Sequence, residues 1–232
     1  MNALPVHDAL ASGANVAGAL NSIASGSSAV KIFLILTALS FGSAILVSVT
    51  AFTRVTIVLS FLRQALGTPQ LPPNQVLLGL SLFLTLFIMA PVATRVHEQA
   101  LKPLMDDKIT VAEALTRAEQ PISAWMLRQT REDDLRLFFD ISGRTAPHRG
   151  DPIPFTVLAP AFMISELATA FRMGLYLFIP MLLIDLLIAS ILMSLGMMMV
   201  PPTLIALPLK LGVFLLAGGW NLVVSSLVRS FS

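Results

Sequence analysis

Long apolar runs, short turn-rich breaks and one polar interval make up the hydropathy pattern of this chain. Ile32 to Thr53 carries no charge and is long enough to cross a bilayer as a helix. Gly42, Ser43 and Ala44 at its centre would allow close helix contact. Arg54 and Arg63 then bracket an apolar stretch too short to span. Gly67, Pro69, Pro72 and Pro73 mark a break, Asn74 suits a helix N-cap, and Gln75 to Thr94 is a second uncharged span. From Phe155 the chain is apolar to its end. Phe155 to Val200 is too long for one spanning helix at about 1.5 Å per residue, so a bend is predicted near Gly174 or Pro180. Leu204 to Val228 follows, with Gly218 and Gly219 before Trp220, a residue suited to an interfacial anchor.

The polar interval, 95–151, holds most of the charge of the chain. Its apolar residues fall at helical spacing: Ile109, Ala112 and Leu115, then Leu135, Phe138 and Phe139. That spacing predicts two or three short amphipathic helices and a loop around GRTAPHRGDPIP. Residues 1–29, rich in Ala, Ser, Gly and Asn, lack the basic n-region and compact apolar core of a secretory signal and read as mostly disordered. The pattern divides the chain into a polar N-terminal segment (1–29), N-terminal apolar helices (30–94), a polar helical domain (95–151) and a C-terminal apolar hairpin (152–232).

That hairpin turns within Ile188 to Leu209. Pro201 and Pro202 lack backbone donors and clash with a preceding helical turn. One helix is therefore predicted to end near Val200 and another to begin near Thr203, with Gly196, Met197, Met198 and Met199 at the bend. Methionine is unbranched and polarizable and fills irregular gaps. The triplet reads either as a seal around something of variable shape or as core packing of a helix hairpin.

Composition narrows the class. Charged residues are 12% of the 232, about half the 25% usual in soluble domains, and the mean hydropathy is +0.83. The chain reads as an all-α integral membrane protein of broken or bent apolar hairpins plus a small polar helical domain. A net charge of +2 without a basic tract argues against nucleic acid as a partner. There is no cysteine, and His7, His97 and His148 lack metal-ligand spacing, so no metal or cofactor is expected. The run Arg131, Glu132, Asp133, Asp134, Arg136 is consecutive. Its carboxylates point to different sides of a helix, as in a solvated or partner-facing surface.

Glu166, Arg172, Asp185 and Lys210 interrupt the C-terminal apolar region. Charges at membrane depth are costly and normally face partners or water. With Arg54 and Arg63, they are expected to pair between subunits and fix assembly. The competing reading is a proton- or ion-coupled transporter with Glu166 and Asp185 as coupling carboxylates, partnered by Arg172 and Lys210. An intramembrane hydrolase needs a nucleophile with an oriented base. Ser165 and Glu166 are adjacent on a helix and do not face each other, so no enzymatic activity is expected.

Three stretches carry a resemblance. FTRVTIVLSFLRQALGTPQLPPNQVLLGLSLFLTLFIMAPV (Phe52–Val92), MLRQTREDDLRLF (Met126–Phe138) and PAFMISELATAFRMGLYLFIPMLLIDLLIASILMSLGMMMVPPTLIALPLKL (Pro160–Leu211) resemble the FliP/SctR family, which builds type III secretion export gates. GTPQLPPNQVLLGL is closer to its flagellar branch. The resemblance implies several copies, a pentamer, joined by FliQ-like and FliR-like subunits in a conical assembly of the bacterial inner membrane, in the flagellar basal body. FlhA- and FlhB-like export components and membrane lipid would surround it, and unfolded flagellar subunits would pass through. It implies an extracytoplasmic place for 95–151, which charge alone leaves open. It implies tilted hairpins partly raised out of the bilayer, and a gasket of Met197, Met198 and Met199 closing the pore. Two departures stand out: residues 1–29 do not resemble the family's cleavable signal, and Gly218 occupies a position usually acidic.

Overall fold

The computed structural model describes residues 47–68, 70–143, 153–197 and 199–231. The expected disorder of 1–29, most of the Ile32–Thr53 span, most of the GRTAPHRGDPIP loop and Met198 lie outside the described residues. Every regular element among the described residues is helical. The order is α1 (Phe52–Ala65), α2 (Asn74–Val96), a π-helical turn (His97–Leu101), α3 (Lys102–Met105), α4 (Val111–Gln129), α5 (Glu132–Ser142), α6 (Phe155–Ser194), α7 (Pro202–Leu216) and α8 (Gly219–Arg229).

Among the described residues, two helices are long and apolar enough to cross a membrane: Asn74–Met105, continuous through the π turn, and Phe155–Ser194. A third span is possible by length if α7 and α8 are taken together, although they meet at 64°. The chain is an all-α integral membrane protein. Its longest helix, α6, has 40 residues and is about 60 Å long, twice the roughly 30 Å of hydrocarbon in a bilayer. It remains helical through Gly174 and Pro180, the two positions where a bend is predicted.

The short α1 is the centre of the packing. Ala51, Val55, Val58, Leu59 and Leu62 are essentially inaccessible, and α1 packs most extensively on α6. Gly174 permits that approach. A Cβ there would stand 2.6 Å from the Phe61 ring, which meets Phe171 edge-on at 5.3 Å.

The core does not stop at the polar interval. Trp125 and Met126 of α4 share one apolar cluster with Leu59, Phe162, Val223 and Leu227. α4 starts with a capping box, in which Thr110 accepts from the Glu113 backbone N–H while the Glu113 carboxylate accepts from Thr110 N at 2.9 Å. Its buried face is Ala114, Pro121, Trp125 and Met126. Ala112 and Leu115 of the predicted stripe are exposed, because the face that meets α2 and α6 is set by the aromatic end of the helix. α5 follows its pattern better: Phe139 is buried, and Leu135 and Phe138 are half-buried.

Two local predictions are corrected. Pro73, not Asn74, is the N-cap of α2, and Asn74 Oδ1 instead accepts a hydrogen bond from Arg63 Nη1. The helix before the methionines ends at Ser194, well short of Val200, because Gly196 stops it. Gly196 has φ +72°, and its N–H donates to Met193 O at 3.1 Å. The next N–H, of Met197, donates to Leu192 O at 3.0 Å. This is the paired bonding of a Schellman cap, which favours glycine because a Cβ is strained at positive φ. Pro201 and Pro202 start the next helix, as its N-cap and first residue, where a missing N–H costs nothing.

Candidate functional site

The α6–α7 turn is a bare tip. Leu195 is 68% exposed, Met197 43% and Met199 97%. On either side of it, only Leu192 of the last turn of α6 and Ala206 of the first turns of α7 are buried. Met197 and Met199 therefore do not pack the core of their own chain.

Behind the tip, two ion pairs hold the helices in place, one near each end of α1. At the first, Arg54 is 2% exposed and Glu166 0%. Arg54 Nε donates to Glu166 Oε2 at 2.9 Å, and Nη2 donates to the other carboxylate oxygen. This bidentate match is what a guanidinium offers a carboxylate. Nη1 donates to Ser230 O at 2.8 Å and to Ser230 Oγ at 3.0 Å, and Nη2 also reaches Gln129 Oε1 at 3.3 Å. The Phe231 ring covers the guanidinium face at 3.8 Å. Arg54 therefore ties α1 to α4, α6 and the turn after α8.

At the second, Lys210 Nζ donates to Asp185 Oδ2 at 2.6 Å and to Ala65 O at 3.1 Å. Ala65 is the last residue of α1, so its carbonyl has no partner within the helix. A lysine there satisfies it and suits the negative end of the helix dipole. Lys210 is buried, whereas the Asp185 side chain is 37% exposed. The pair fastens α6 and α7 to α1 and to each other.

These contacts alter the expected pairing. Arg54 pairs with Glu166 and Lys210 with Asp185 within one chain, so Glu166 is partnered by Arg54 instead of Arg172. Arg172 is exposed and has no hydrogen bond or ion pair with another described residue. Arg63 is half-buried and reaches the α1–α2 turn through Asn74 Oδ1 and, at 3.5 Å, Pro72 O.

Ser165, next to Glu166, donates to Asp134 Oδ2 at 2.6 Å and accepts from Arg131 N at 3.0 Å. It joins α5 to α6. In the charged run, Asp133 is largely exposed, while Asp134 turns inward to Ser165. No three metal-ligating side chains converge among the described residues.

The model of the FliP family matches residues 35–227, most of the chain. The chain belongs to the FliP family. The flagellar biosynthetic protein FliP of Bacillus subtilis is 52% identical over 205 residues, covering 88% of this chain and 93% of that protein. That of Pectobacterium carotovorum is 52% identical over 202 residues, 87% of this chain and 78% of its own length. That of Aquifex aeolicus is 48% identical over 204 residues, 87% and 85%. The FliP family is one of structural components of the flagellar export apparatus, not of enzymes.

The matched region contains the methionine tip, both ion pairs and Gln129, but stops short of Ser230 and Phe231. Those two residues and Gln129 are the members of the Arg54 node that the sequence pattern does not reveal. Gln129 is an ordinary polar residue at a helix end, and Phe231 reads as one more apolar residue in an apolar tail. The signal available was Arg54 itself: a buried arginine needs several acceptors, and one carboxylate cannot fill them.

Proposed function

We propose that this chain is one of several identical subunits, five in the family's pattern, of the flagellar export gate in the bacterial inner membrane. FliQ-like and FliR-like subunits complete the gate, FlhA- and FlhB-like components act with it, and unfolded flagellar subunits pass through. In this reading residues 95–151 lie on the extracytoplasmic side. The tips at Met197, Met198 and Met199 meet around the pore axis and close it when no cargo is present.

The observation that carries the reading is the tip itself, where apolar, flexible side chains stand clear of their own core at the end of two firmly anchored helices. Thioethers can mould to a passing chain of any side-chain shape, and a hydrophobic constriction excludes ions by dewetting. Replacement of Met197, Met198 and Met199 by Ala should leave insertion and assembly nearly intact and let small solutes leak. The leak should depend on the FliQ- and FliR-like partners. Membrane conductance compared at matched amounts of complex tests this. A triple-Ala complex that assembles and stays as tight as its parent, resting and secreting, removes the gasket role.

The coupled-transporter reading loses support from the same geometry. Glu166 is fully buried and held in a bidentate pair, and of the two carboxylates only Asp185, 37% exposed beside Lys210, meets solvent.

A further inference from the structure

The helices α6, α7 and α8 form one long bent hairpin with the methionine tip at its closed end. Toward its open end lie Glu166, in the first part of α6, and Ser230–Phe231, just past α8. Both are held by the same guanidinium, that of Arg54. We infer that Phe231 is a positioning residue for Arg54, and that α8 is a strap latched to the body at this point.

Three observations carry this. First, α8 is held along its length by one narrow apolar seam, Val223 and Leu227, which are buried in the core. It joins α7 through Gly218, whose φ of +64° makes a sharp left-handed turn, and it packs closely on few neighbours. Between α8 and the body runs an open groove of about 300 Å³, lined by Val58, Met173, Leu177, Leu222, Val223 and Ser226. Second, the end of α8 is gripped from several directions. Arg54 Nη1 takes the Ser230 carbonyl and hydroxyl, Gln129 Nε2 donates to Phe231 O at 3.1 Å, and Trp125 stacks on the Phe231 ring at 6.1 Å with 17° between planes. Third, the Phe231 ring lies over the guanidinium face at 3.8 Å. All polar edges of Arg54 are engaged by acceptors. The ring supplies what they cannot: a negative π face that excludes water without competing for a proton.

The chemistry separates a positioning ring from an apolar plug. Leucine at 231 preserves apolar bulk but has no π face, whereas tyrosine keeps the face. Hydrogen–deuterium exchange of the assembled membrane complex, read on peptides covering 219–231, discriminates them. Phe231→Leu should speed exchange in α8 by about tenfold, the loss of one desolvated cation–π contact, with α6 unchanged. Phe231→Tyr should exchange like the parent. Gln129→Leu removes the grip on the Phe231 carbonyl and one acceptor of Arg54 Nη2, keeps the residue at 231 unchanged, and should loosen the same peptides. Parent-like protection in Phe231→Leu overturns the inference, and so does a Phe231→Tyr complex as loose as the leucine one. If the leucine variant fails to assemble, Gln129→Leu decides, and unchanged α8 exchange in it refutes the latch. The readout concerns α8 alone and holds whether or not the methionine tips line a pore.

Discussion

Arg54 and Glu166, 112 positions apart, form a bidentate ion pair that water does not reach, with Nε 2.9 Å from Oε2. Such a pair is dangerous to break and less dangerous to replace. Removing one member strands the other charge in a dry site, at a cost of about 3–5 kcal/mol, whereas an apolar pair of similar volume is often neutral. Glu166→Leu should therefore sharply lower both the thermal midpoint of the purified protein and the yield of complex. Arg54→Met combined with Glu166→Leu should recover part of the loss. Recovery should be incomplete, because Gln129 and Ser230 lose the donors they accept from. A double variant no better than Glu166→Leu would show that the four-way tie, not the charge pair, holds the helices.

The contact between Gly174 and Phe61 sets the distance between α1 and α6. Gly174→Ala would place a methyl group 2.6 Å from the Phe61 ring. Overpacking of this kind typically costs about 1–3 kcal/mol. Phe61→Leu in the same chain should relieve most of it, giving a favourable coupling in a double-mutant cycle. Additive effects on unfolding would mean that the Phe61 ring already moves aside freely.

At the tip, the helix stop is glycine and the prolines are a helix start. Gly196→Ala puts a Cβ at φ +72°, with a penalty of about 1–2 kcal/mol for the left-handed conformation, and favours extension of α6 toward the methionines. Pro201→Ala with Pro202→Ala removes only a preorganised first turn. Swimming-plate diameter should thus fall further for Gly196→Ala than for the double proline variant, at equal protein levels in the membrane. The reverse order would return the stop signal to the prolines.

Glu113 carries a pH dependence outside the apolar helices. The Thr110 backbone N–H, then its hydroxyl, stabilise the carboxylate and lower its pKa below the ordinary 4.5. A carboxyl whose folded pKa is depressed contributes stability above its unfolded pKa and loses it as pH falls through the folded value. Protection of the first-turn amides of α4 should be greater in the parent than in Glu113→Ala at neutral pH. The difference should vanish on acidification well below 4.5. A difference independent of pH would assign the effect to packing of the side chain.

Much of this molecule was legible in the residues. Uncharged runs of bilayer length permit only helices, since no water is available to satisfy an open backbone, and three long motifs carried the family. A turn between two apolar helices, with methionines at its apex, followed from helix-breaking residues alone. Which residue stops the helix did not. Gly196 and Pro201–Pro202 are both stop signals, and hydrogen bonds to the Leu192 and Met193 carbonyls decide between them only once the chain has folded.

The charges divide the same way. That Arg54, Glu166, Asp185 and Lys210 needed partners or water followed from the surrounding apolar sequence, and Arg172 in the same region takes the second course, being exposed. Their partners were a matter of tertiary structure. Pairing depends on which helices lie side by side and at what height, and no local pattern encodes that Arg54 meets Glu166 while Lys210 meets both Asp185 and the end of α1. Phe231 is the extreme case. Its residue type says only that it avoids water, and its place over a guanidinium depends on how α1, α4, α6 and α8 converge.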